Sequence, residues 1–299
     1  MSELSHSARR TTVRALLNAS ARRLARAKLH FGHGTDNAAD EAAALVWHVL
    51  KLPYPAAPRA YARRVGARAR EQVRELIERR IRERIPAAYL IGSARFAGLS
   101  FQVDPRVLIP RSPLAELIER RFAPWIEAAR VRCVLDVGTG SGCIAIACAR
   151  AFAHSRIDAL DVSEAALAVA RANVRRHRLG ARVRLIRSDH FGALGRRRYD
   201  IIVSNPPYVG ARELGALPEE YRHEPRVALA SGRAGLASIR IILRDAARHL
   251  RPRGILVVEA GNTEVAVRRA FARLPFTWLH FERGGGGVFL LTAEQLHAG

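Results

Sequence analysis

Cysteine, methionine and lysine are scarce in this chain of 299 residues, which has three, one and two of them respectively. The cysteines are Cys133, Cys143 and Cys148, an odd number without a C-x-x-C pair, and they favour neither a disulfide framework nor a zinc site. None of the eleven histidines stands at metal-ligand spacing. The composition therefore predicts reduced thiols and no bound metal.

Long apolar runs are also missing. No run approaches the roughly 20 residues that a membrane-spanning helix needs. The first ten residues lack the apolar centre of a signal peptide. Hydrophobic residues still make up 49% of the chain, which is the profile of a globular protein. We therefore expect a cytoplasmic protein without a membrane segment.

Acidic residues are few beside the basic ones, 27 against 50, and the formal net charge is +23. Because Lys28 and Lys51 are the only lysines, the other 48 basic residues are arginines. An excess of arginine and alanine is typical of GC-rich coding sequences, so the charge alone is not evidence for a nucleic-acid substrate. It does predict attraction to RNA-rich particles at low salt.

The first third of the chain has apolar residues at helical spacing, interrupted by a glycine-rich break at 31–37. We expect a small helical domain over 1–92, a β-hairpin linker over 93–113 that turns at Ala97-Gly98, and a larger domain over 114–299. The predicted helices cover 11–29, 42–50, 71–85 and 114–121, and Pro53, Pro55 and Pro58 mark a loop.

From residue 130 onward, short apolar runs alternate with amphipathic stretches. This pattern predicts a parallel sheet that is covered by helices on both faces. Near the end, two strands follow one another without a helix, which predicts an antiparallel hairpin. The predicted strands lie at about 132–137, 156–162, 183–188, 199–204, 254–260, 277–282 and 288–292, and the predicted helices at 142–152, 164–177, 236–250 and 263–273.

The stretch Ser204-Asn205-Pro206-Pro207-Tyr208 ends one of these strands. Its prolines have a fixed φ and no N–H, which makes the turn stiff and rich in carbonyl acceptors. The side-chain oxygen of Asn205 and the main-chain oxygen of Pro206 can accept both hydrogens of a planar NH2 group, with the Tyr208 ring on its flat face. Taken alone, Asn-Pro-Pro favours an ordinary Pro-Pro turn with an aromatic residue beside it.

A glycine loop and two further acids suggest a ligand crevice. Asp136-Val137-Gly138-Thr139-Gly140-Ser141-Gly142 follows one strand and opens a helix, so main-chain N–H groups can approach a ligand. Cys143 fills the third glycine position of the dinucleotide pattern, which disfavours NAD. Asp161 and Asp189 end the next two strands, where they can bind ribose hydroxyls and an adenine amine; His190 and Phe191 follow Asp189, and Phe191 is expected to form an aromatic wall. Each acid alone is more often a cap or a solvated strand end.

In this order the motifs resemble those of class I AdoMet-dependent methyltransferases, a Rossmann-like α/β fold with a seven-stranded sheet, that act on a planar nitrogen. The helical domain and hairpin linker resemble the HemK/PrmC family of glutamine N5-methyltransferases. Four stretches resemble the branch of that family whose substrate is a glutamine of large-subunit ribosomal protein L-three; they are 31–37 (FGHGTDN), 84–90 (RIPAAYL), 107–113 (VLIPRSP) and 221–231 (YRHEPRVALAS). The release-factor branch is expected to carry a second proline and an acid after Pro110-Arg111, where this chain has Ser112-Pro113.

The resemblance implies S-adenosyl-L-methionine as the cofactor and a monomer that meets its substrate through the helical domain, either free or in an assembling ribosomal particle with some ribosomal RNA contact. Arg111, Glu224 and His33 are further candidates for substrate contact, although a surface arginine, a solvated loop carboxylate and a structural turn histidine are, respectively, the more frequent cases. The implied cofactor contacts are Asp136, Gly138, Thr139, Gly140, Gly142, Asp161, Asp189, Phe191 and Asn205; the implied catalytic residues are Asn205, Pro206 and Tyr208; the implied substrate contacts are Asn205, Pro206, Pro207, Tyr208, Arg111 and Glu224.

Three functions compete on the sequence. The first is methylation of a protein glutamine, in the ribosomal protein or in a release factor. The second is methylation of an exocyclic amine, such as adenine N6, in nucleic acid, although the chain lacks a separate target-recognition domain of the expected size. The third is a ribosome-assembly factor that senses AdoMet without catalysis, against which the Asn205–Tyr208 pocket argues.

Overall fold

The computed structural model describes residues 11–53 and 57–298, which divide into two compact units. Unit 1 comprises the described residues up to Ser93 together with Pro218–His223. Unit 2 comprises Ala94–Leu217 and the residues from Glu224 onward. The contribution of 218–223 to unit 1 has no counterpart in the sequence analysis. Pro55, from the predicted proline loop, lies outside the described residues.

Unit 1 is helical. Its three longer helices confirm the predicted ones, and their apolar faces share a core that includes Leu24, Leu45 and Ile77. The caps follow the sequence: the Asn37 side chain accepts hydrogen bonds from the amides of residues 39 and 40. The helices are Val13–Arg26, Ala38–Leu50, Ala67–Glu83 and Ala87–Ile91, with a 3-10 turn at Pro58–Ala62. The fourth helix was not predicted, because five residues are too few to show a period.

A buried ion cluster fastens the segment 218–223 inside unit 1. The guanidinium of Arg80 is fully buried; it donates to the carboxylates of Glu41 and Glu220 and to the carbonyl of His30. Glu220 also accepts a hydrogen bond from the amide of His30 at 3.0 Å and one from Arg84 at 3.0 Å. Buried charges of this kind are stable only when every partner is present.

Unit 2 contains a seven-stranded sheet, whose strands are β3 Cys133–Val137, β4 Arg156–Asp161, β5 Val183–Arg187, β6 Tyr199–Ser204, β7 Leu250–Glu259, β8 Thr277–Leu279 and β9 Val288–Thr292. Their order is β5-β4-β3-β6-β7-β9-β8; β3 to β7 run parallel, and β9 runs antiparallel to both of its neighbours, β7 and β8. This sheet confirms the predicted α/β fold and its closing hairpin. The first hairpin, β1 Ser93–Phe96 with β2 Leu99–Gln102, is also as predicted.

Both faces of the sheet are covered. Along β3 and β6, Val134 and Ile201 pack into one apolar cluster, whereas Leu135 and Ile202 pack into the other. The helices of unit 2 are Leu114–Glu119, Cys143–Ala151, Glu164–Arg176, Ala211–Ala216, Ala237–His249, Glu264–Ala270 and Ala293–Ala298. The fourth and the last were not predicted. β7 begins four residues before its predicted start, because Leu250 already pairs with Tyr199 ahead of the polar residues 251–253.

Across the described ranges, no helix combines the length and apolar composition that a bilayer crossing requires. Within the same residues, no group of three or more His, Cys, Asp or Glu side chains is arranged to hold a metal ion. Cys143 and Cys148 are buried, and Cys133 is partly exposed; all three are free thiols.

Candidate active site

The glycine loop after β3 bends back over the end of β4. The amides of Gly138 and Thr139 both donate to the carbonyl of Leu160, at 2.9 and 2.7 Å. Gly142 has a φ of +80°, and a Cβ on it would lie 3.3 Å from Cβ of Ala170. Glycine is therefore required there both by the backbone conformation and by the close approach of the helix Glu164–Arg176.

Asp136 holds this loop from beneath. One of its carboxylate oxygens accepts hydrogen bonds from the Thr139 hydroxyl at 2.6 Å and from the Ala145 amide at 3.1 Å. Complete burial raises the pKa of Asp136 to about 7. Its other oxygen is buried without a hydrogen-bond partner among the described residues. The predicted cofactor residue thus fixes the loop, and it keeps one acceptor unused.

Asp161, at the end of β4, faces the same loop. Its carboxylate accepts hydrogen bonds from the amides of Gly140 at 2.8 Å and Ser163 at 2.9 Å. Burial raises the pKa of Asp161 above its usual value. A carboxylate that is held by two main-chain donors has a fixed direction, and it retains lone pairs for a further donor.

At the end of β5, the structure separates two residues that the sequence analysis combined. Asp189 lines the cavity, and its carboxylate is hydrogen-bonded to Nδ1 of His190 at 2.7 Å. Phe191 is instead 6% exposed and stacks on His249 in the core, with the ring centroids 5.1 Å apart. The expected aromatic wall from Phe191 is therefore corrected: His190, not Phe191, is the ring that lines the cavity.

The turn after β6 brings three of the predicted residues, Asn205, Pro206 and Pro207, to the same cavity. It begins at Ser204, whose hydroxyl donates to the carbonyl of Val137 at 2.6 Å and so joins the ends of β6 and β3. Within the described chain, the side-chain amide of Asn205 has no hydrogen-bond partner. It is thus available to a ligand.

Tyr208 is held by a buried carboxylate that the sequence analysis missed. Its hydroxyl donates to Glu259 at 3.1 Å, and the Ser112 hydroxyl donates to the other oxygen of the same carboxylate. Glu259 is 5% exposed, and burial raises its pKa. The signal was an acid directly after the apolar run 255–258, at the end of a strand whose last six residues are all buried.

Arg111 and Glu224, two of the predicted substrate contacts, bind one another. The guanidinium of Arg111 makes two hydrogen bonds to the Glu224 carboxylate, at 2.6 and 2.7 Å, and Glu224 also accepts from the amide of Ile109. Glu224 is 5% exposed, so it is not a solvated loop carboxylate, and Arg111 is not a free surface arginine. Arg111 lines the cavity, whereas Glu224 fixes it from behind.

His33 lies in unit 1, away from these residues in the chain, and is 3% exposed. Its ring centroid is 4.4 Å from that of Tyr221. Within unit 1, the structure therefore brings a residue of the stretch 31–37 into contact with Tyr221, the first residue of the stretch 221–231. It gives His33 a packing role there rather than an exposed recognition surface.

The residues of unit 2 enclose a cavity of about 270 Å³ at the carboxyl ends of β3, β4, β5 and β6. Ligands bind in this position in open α/β sheets. Apolar walls from Val137, Leu160 and Val162 stand beside Asp161 and the buried hydroxyl of Ser141. An apolar crevice with a few fixed acceptors fits a nucleoside with ribose hydroxyls, as expected for S-adenosyl-L-methionine.

Two family models match the chain: the PrmC N-terminal domain over residues 15–92 and the methyltransferase small domain over residues 120–219. Among solved structures, the catalytic domain of hMettl16, crystallised in complex with MAT2A 3′UTR hairpin 6, is similar with a TM-score of 0.51 and 19% identity. That match covers 65% of this chain and 75% of the other, and at this identity it establishes the fold.

Two relatives are similar over almost the whole length. A protein of Neisseria gonorrhoeae named ribosomal protein uL3 glutamine methyltransferase is 49% identical over 288 residues, 96% of each chain. A protein of Xylella fastidiosa with the same name is 46% identical over 287 residues, covering 96% of this chain and 92% of its own.

Proposed function

This chain belongs to the family of the ribosomal protein uL3 glutamine methyltransferases, and we propose that the Asn205–Tyr208 turn is where it holds the substrate glutamine. Its activity is the transfer of a methyl group from S-adenosyl-L-methionine to a glutamine side-chain amide of large-subunit ribosomal protein uL3. Family membership favours this substrate over the release-factor, adenine and non-enzymatic alternatives. The observation that carries the proposal is the unpartnered Asn205 amide beside the nucleoside cavity.

An amide nitrogen is a poor nucleophile, because its lone pair is delocalised into the carbonyl. When bound, the cofactor supplies a methyl group on a sulfonium, a strong electrophile with a neutral leaving group. The task of the protein is therefore alignment, which can contribute several kcal/mol to catalysis without a metal or a covalent intermediate.

Asn205 and Pro206 perform that alignment in our proposal. The side-chain oxygen of Asn205 and the main-chain oxygen of Pro206 accept the two N–H groups of the glutamine amide, and the Tyr208 ring packs on its plane. The nitrogen gains positive charge as the new bond forms, and both oxygens then stabilise it. No deprotonation is needed before attack, since the surplus proton can leave afterwards.

The surroundings support a preorganised turn. Ser204 fixes its start on β3, and Glu259 fixes the Tyr208 hydroxyl. Two prolines restrict the backbone between these anchors. Asp136 and Asp161 hold the loop on the cofactor side in the same way, so both reactants meet groups that have little freedom to move.

For the rest of the chain, we propose that unit 1 recognises the substrate and that the substrate is uL3 in an assembling particle. Residues 1–95 carry 19 basic and 8 acidic side chains, which supports attraction to an RNA-containing particle. A monomer and a cytoplasmic location remain part of the proposal. Raising the salt concentration should weaken binding to particles; an unchanged affinity would contradict this part.

The first experiment uses labelled AdoMet with ribosomal particles and release factors from cells that lack the enzyme, and locates the label by mass spectrometry. A methyl on a uL3 glutamine is expected. A methyl on a release-factor glutamine would instead show that Ser112-Pro113 is not a marker of the ribosomal branch.

The second experiment tests the turn itself. Asn205→Ala should lower kcat by about 100-fold or more, the usual loss when one preorganised polar contact to the reacting group is removed. AdoMet affinity, measured by calorimetry, should stay nearly unchanged. Asn262→Ala is the matched control, since Asn262 is an exposed asparagine of the same unit that lies outside the cavity. Turnover retained in Asn205→Ala would refute the assigned role.

A further inference from the structure

The geometry points to a second binding site at the amino ends of the parallel strands, opposite the cofactor cavity, and we propose that it binds the phosphate backbone of RNA. The amino-end cleft, as we name it, has a volume of about 610 Å³ and contains six arginines. They are Arg156, Arg182, Arg184, Arg197, Arg198 and Arg251. This proposal goes beyond methyl transfer, because RNA binding can be measured without turnover.

The sheet topology explains why these arginines converge. In a parallel sheet, the amino ends of all strands lie on one side and the carboxyl ends on the other. The cofactor cavity occupies the carboxyl ends. Arg156 is the first residue of β4, and Arg184 and Arg251 are the second residues of β5 and β7. Arg197 and Arg198 directly precede β6. Four strands of the sheet, β4, β5, β6 and β7, thus bring arginines that are distant in sequence to a single cleft.

Few acids balance these charges. Asp158 is the one acid among the described lining residues, and it is already occupied by Arg184 at 2.8 Å and by the Tyr199 hydroxyl at 2.7 Å. Asp200, next to the cleft, pairs with Arg251 at 3.2 Å. Six guanidinium groups against two carboxylates leave four positive charges.

The uncompensated charge is concentrated on four arginines. Arg182 donates to the carbonyls of Ala149 and Phe152, which satisfies its hydrogens but not its charge. Arg156, Arg197 and Arg198 are exposed and, among the described residues, have no acidic partner. Coding bias explains many arginines, but it does not explain why so few acids lie beside the arginines of this cleft. On the helix Ala67–Glu83, by contrast, arginines such as Arg74 and Arg79 pair with glutamates.

The chemistry favours a phosphate backbone. Guanidinium groups bind phosphate oxygens in a bidentate manner, and several in a row match the repeat of a nucleic-acid backbone. The ring of Tyr199 is buried, so among the described lining residues there is no exposed aromatic side chain on which a base can stack. We therefore expect binding that depends on backbone charge and not on base sequence.

The test compares two variants with the same loss of charge. The first is the triple variant Arg156→Gln, Arg197→Gln and Arg198→Gln in the cleft. The matched control is Arg175→Gln, Arg269→Gln and Arg273→Gln, three exposed arginines of unit 2 that lie outside the cleft. The binding of a fluorescein-labelled RNA duplex of about 20 base pairs is followed by anisotropy between roughly 50 and 200 mM salt, the range in which counterion release is resolved.

The cleft variant should bind RNA at least about 10-fold more weakly than wild type at 100 mM salt. The slope of log affinity against log salt should fall by about 2 to 3, since each lost phosphate contact removes about 0.9. The control should keep most of the wild-type slope. Equal losses in both variants, or RNA binding that is unchanged in the cleft variant, would overturn the proposal.

Two further measurements separate this proposal from binding of an acidic protein and from the proposed methyl transfer. In the first, polyglutamate and unlabelled RNA compete with the labelled RNA, each at the same concentration of negative charge. Equal displacement by both would contradict the proposal, because the cleft would then accept acidic protein as well as a phosphate backbone. Methylation of free uL3 and the melting temperature should both be unchanged in the cleft variant. Absent methylation in wild type would count against the proposed function and leave the RNA result standing.

Discussion

Replacing Gly261 with alanine should slow methyl transfer by displacing Tyr208. Gly261 follows β7 and has a φ of +49°. A Cβ on it would lie 2.5 Å from Cε2, 2.6 Å from Cζ and 3.0 Å from the hydroxyl of the Tyr208 ring. Carbon atoms in contact prefer about 3.5–4.0 Å, so the ring has to move by about 1 Å.

The magnitudes follow from these distances. An L-residue in the left-handed region costs about 1–2 kcal/mol, and overpacking adds about 1–3 kcal/mol. We expect Gly261→Ala to lose about 2–5 kcal/mol of unfolding free energy. A displacement of about 1 Å at a positioning group can cost about 100-fold in rate, so kcat should fall by about 10- to 100-fold. AdoMet affinity should change little, because Tyr208 is outside the cavity lining.

Gly195→Ala provides the matched control. Gly195 lies in the same unit with a φ of +59°, and nothing lies within 4 Å of the added Cβ. This variant carries the backbone strain without the clash, so it should lose about 1–2 kcal/mol and keep its kcat. Urea unfolding gives the stabilities, and a labelled-methyl assay gives the rates. If Gly261→Ala has a wild-type kcat, Tyr208 does not need its observed position, and our account of the turn is wrong.

Two further predictions concern buried charges. Glu220→Gln should cost about 3–5 kcal/mol in urea unfolding, since it leaves the fully buried Arg80 with one carboxylate fewer; Glu219→Gln, an exposed member of the same segment, should cost less than about 1 kcal/mol, and equal costs would contradict the cluster. Burial raises the pKa of Asp136 to about 7, above its unfolded value, so its contribution to stability is present below about pH 4 and is lost as the pH rises through 7. Asp136→Asn should therefore flatten the fall in unfolding free energy between pH 4.5 and 7.5, and parallel curves for both proteins would refute this.

Much of the fold was predictable, because the central strands contain short apolar runs, such as 201–203 in β6 and 255–258 in β7, that a doubly covered sheet buries. The motif acids were also visible, since Asp136, Asp161 and Asp189 each follow such a run. Their order along the chain indicates that all three lie together at the carboxyl ends of the parallel strands. The branch of the family was predictable from local stretches, and relatives at 49% identity agree with it.

The pairing of side chains was not predictable. Arg111 and Glu224 are 113 residues apart, and only the folded chain brings them together. Phe191 was misplaced because period-two patterns do not report on a turn after the strand, where His190 has a φ of +45° and the next side chain points into the core. Short helices such as Ala87–Ile91 were missed because one turn of helix shows no periodicity.

Because residues 218–223 belong to unit 1, the protein cannot be cut into its two units at a single point in the chain. A fragment that begins at Ala94 still contains Glu220, but it has lost Arg80, Arg84 and the amide of His30. In such a fragment, the acidic residues of 218–223 have lost their basic partners Arg80 and Arg84. This segment ends four residues before Val227, which lines the active-site cavity. Deleting the helical unit thus alters the catalytic unit as well. A chimera between relatives has to exchange both stretches of unit 1 together, although some 120 residues of the other unit separate them in the gene.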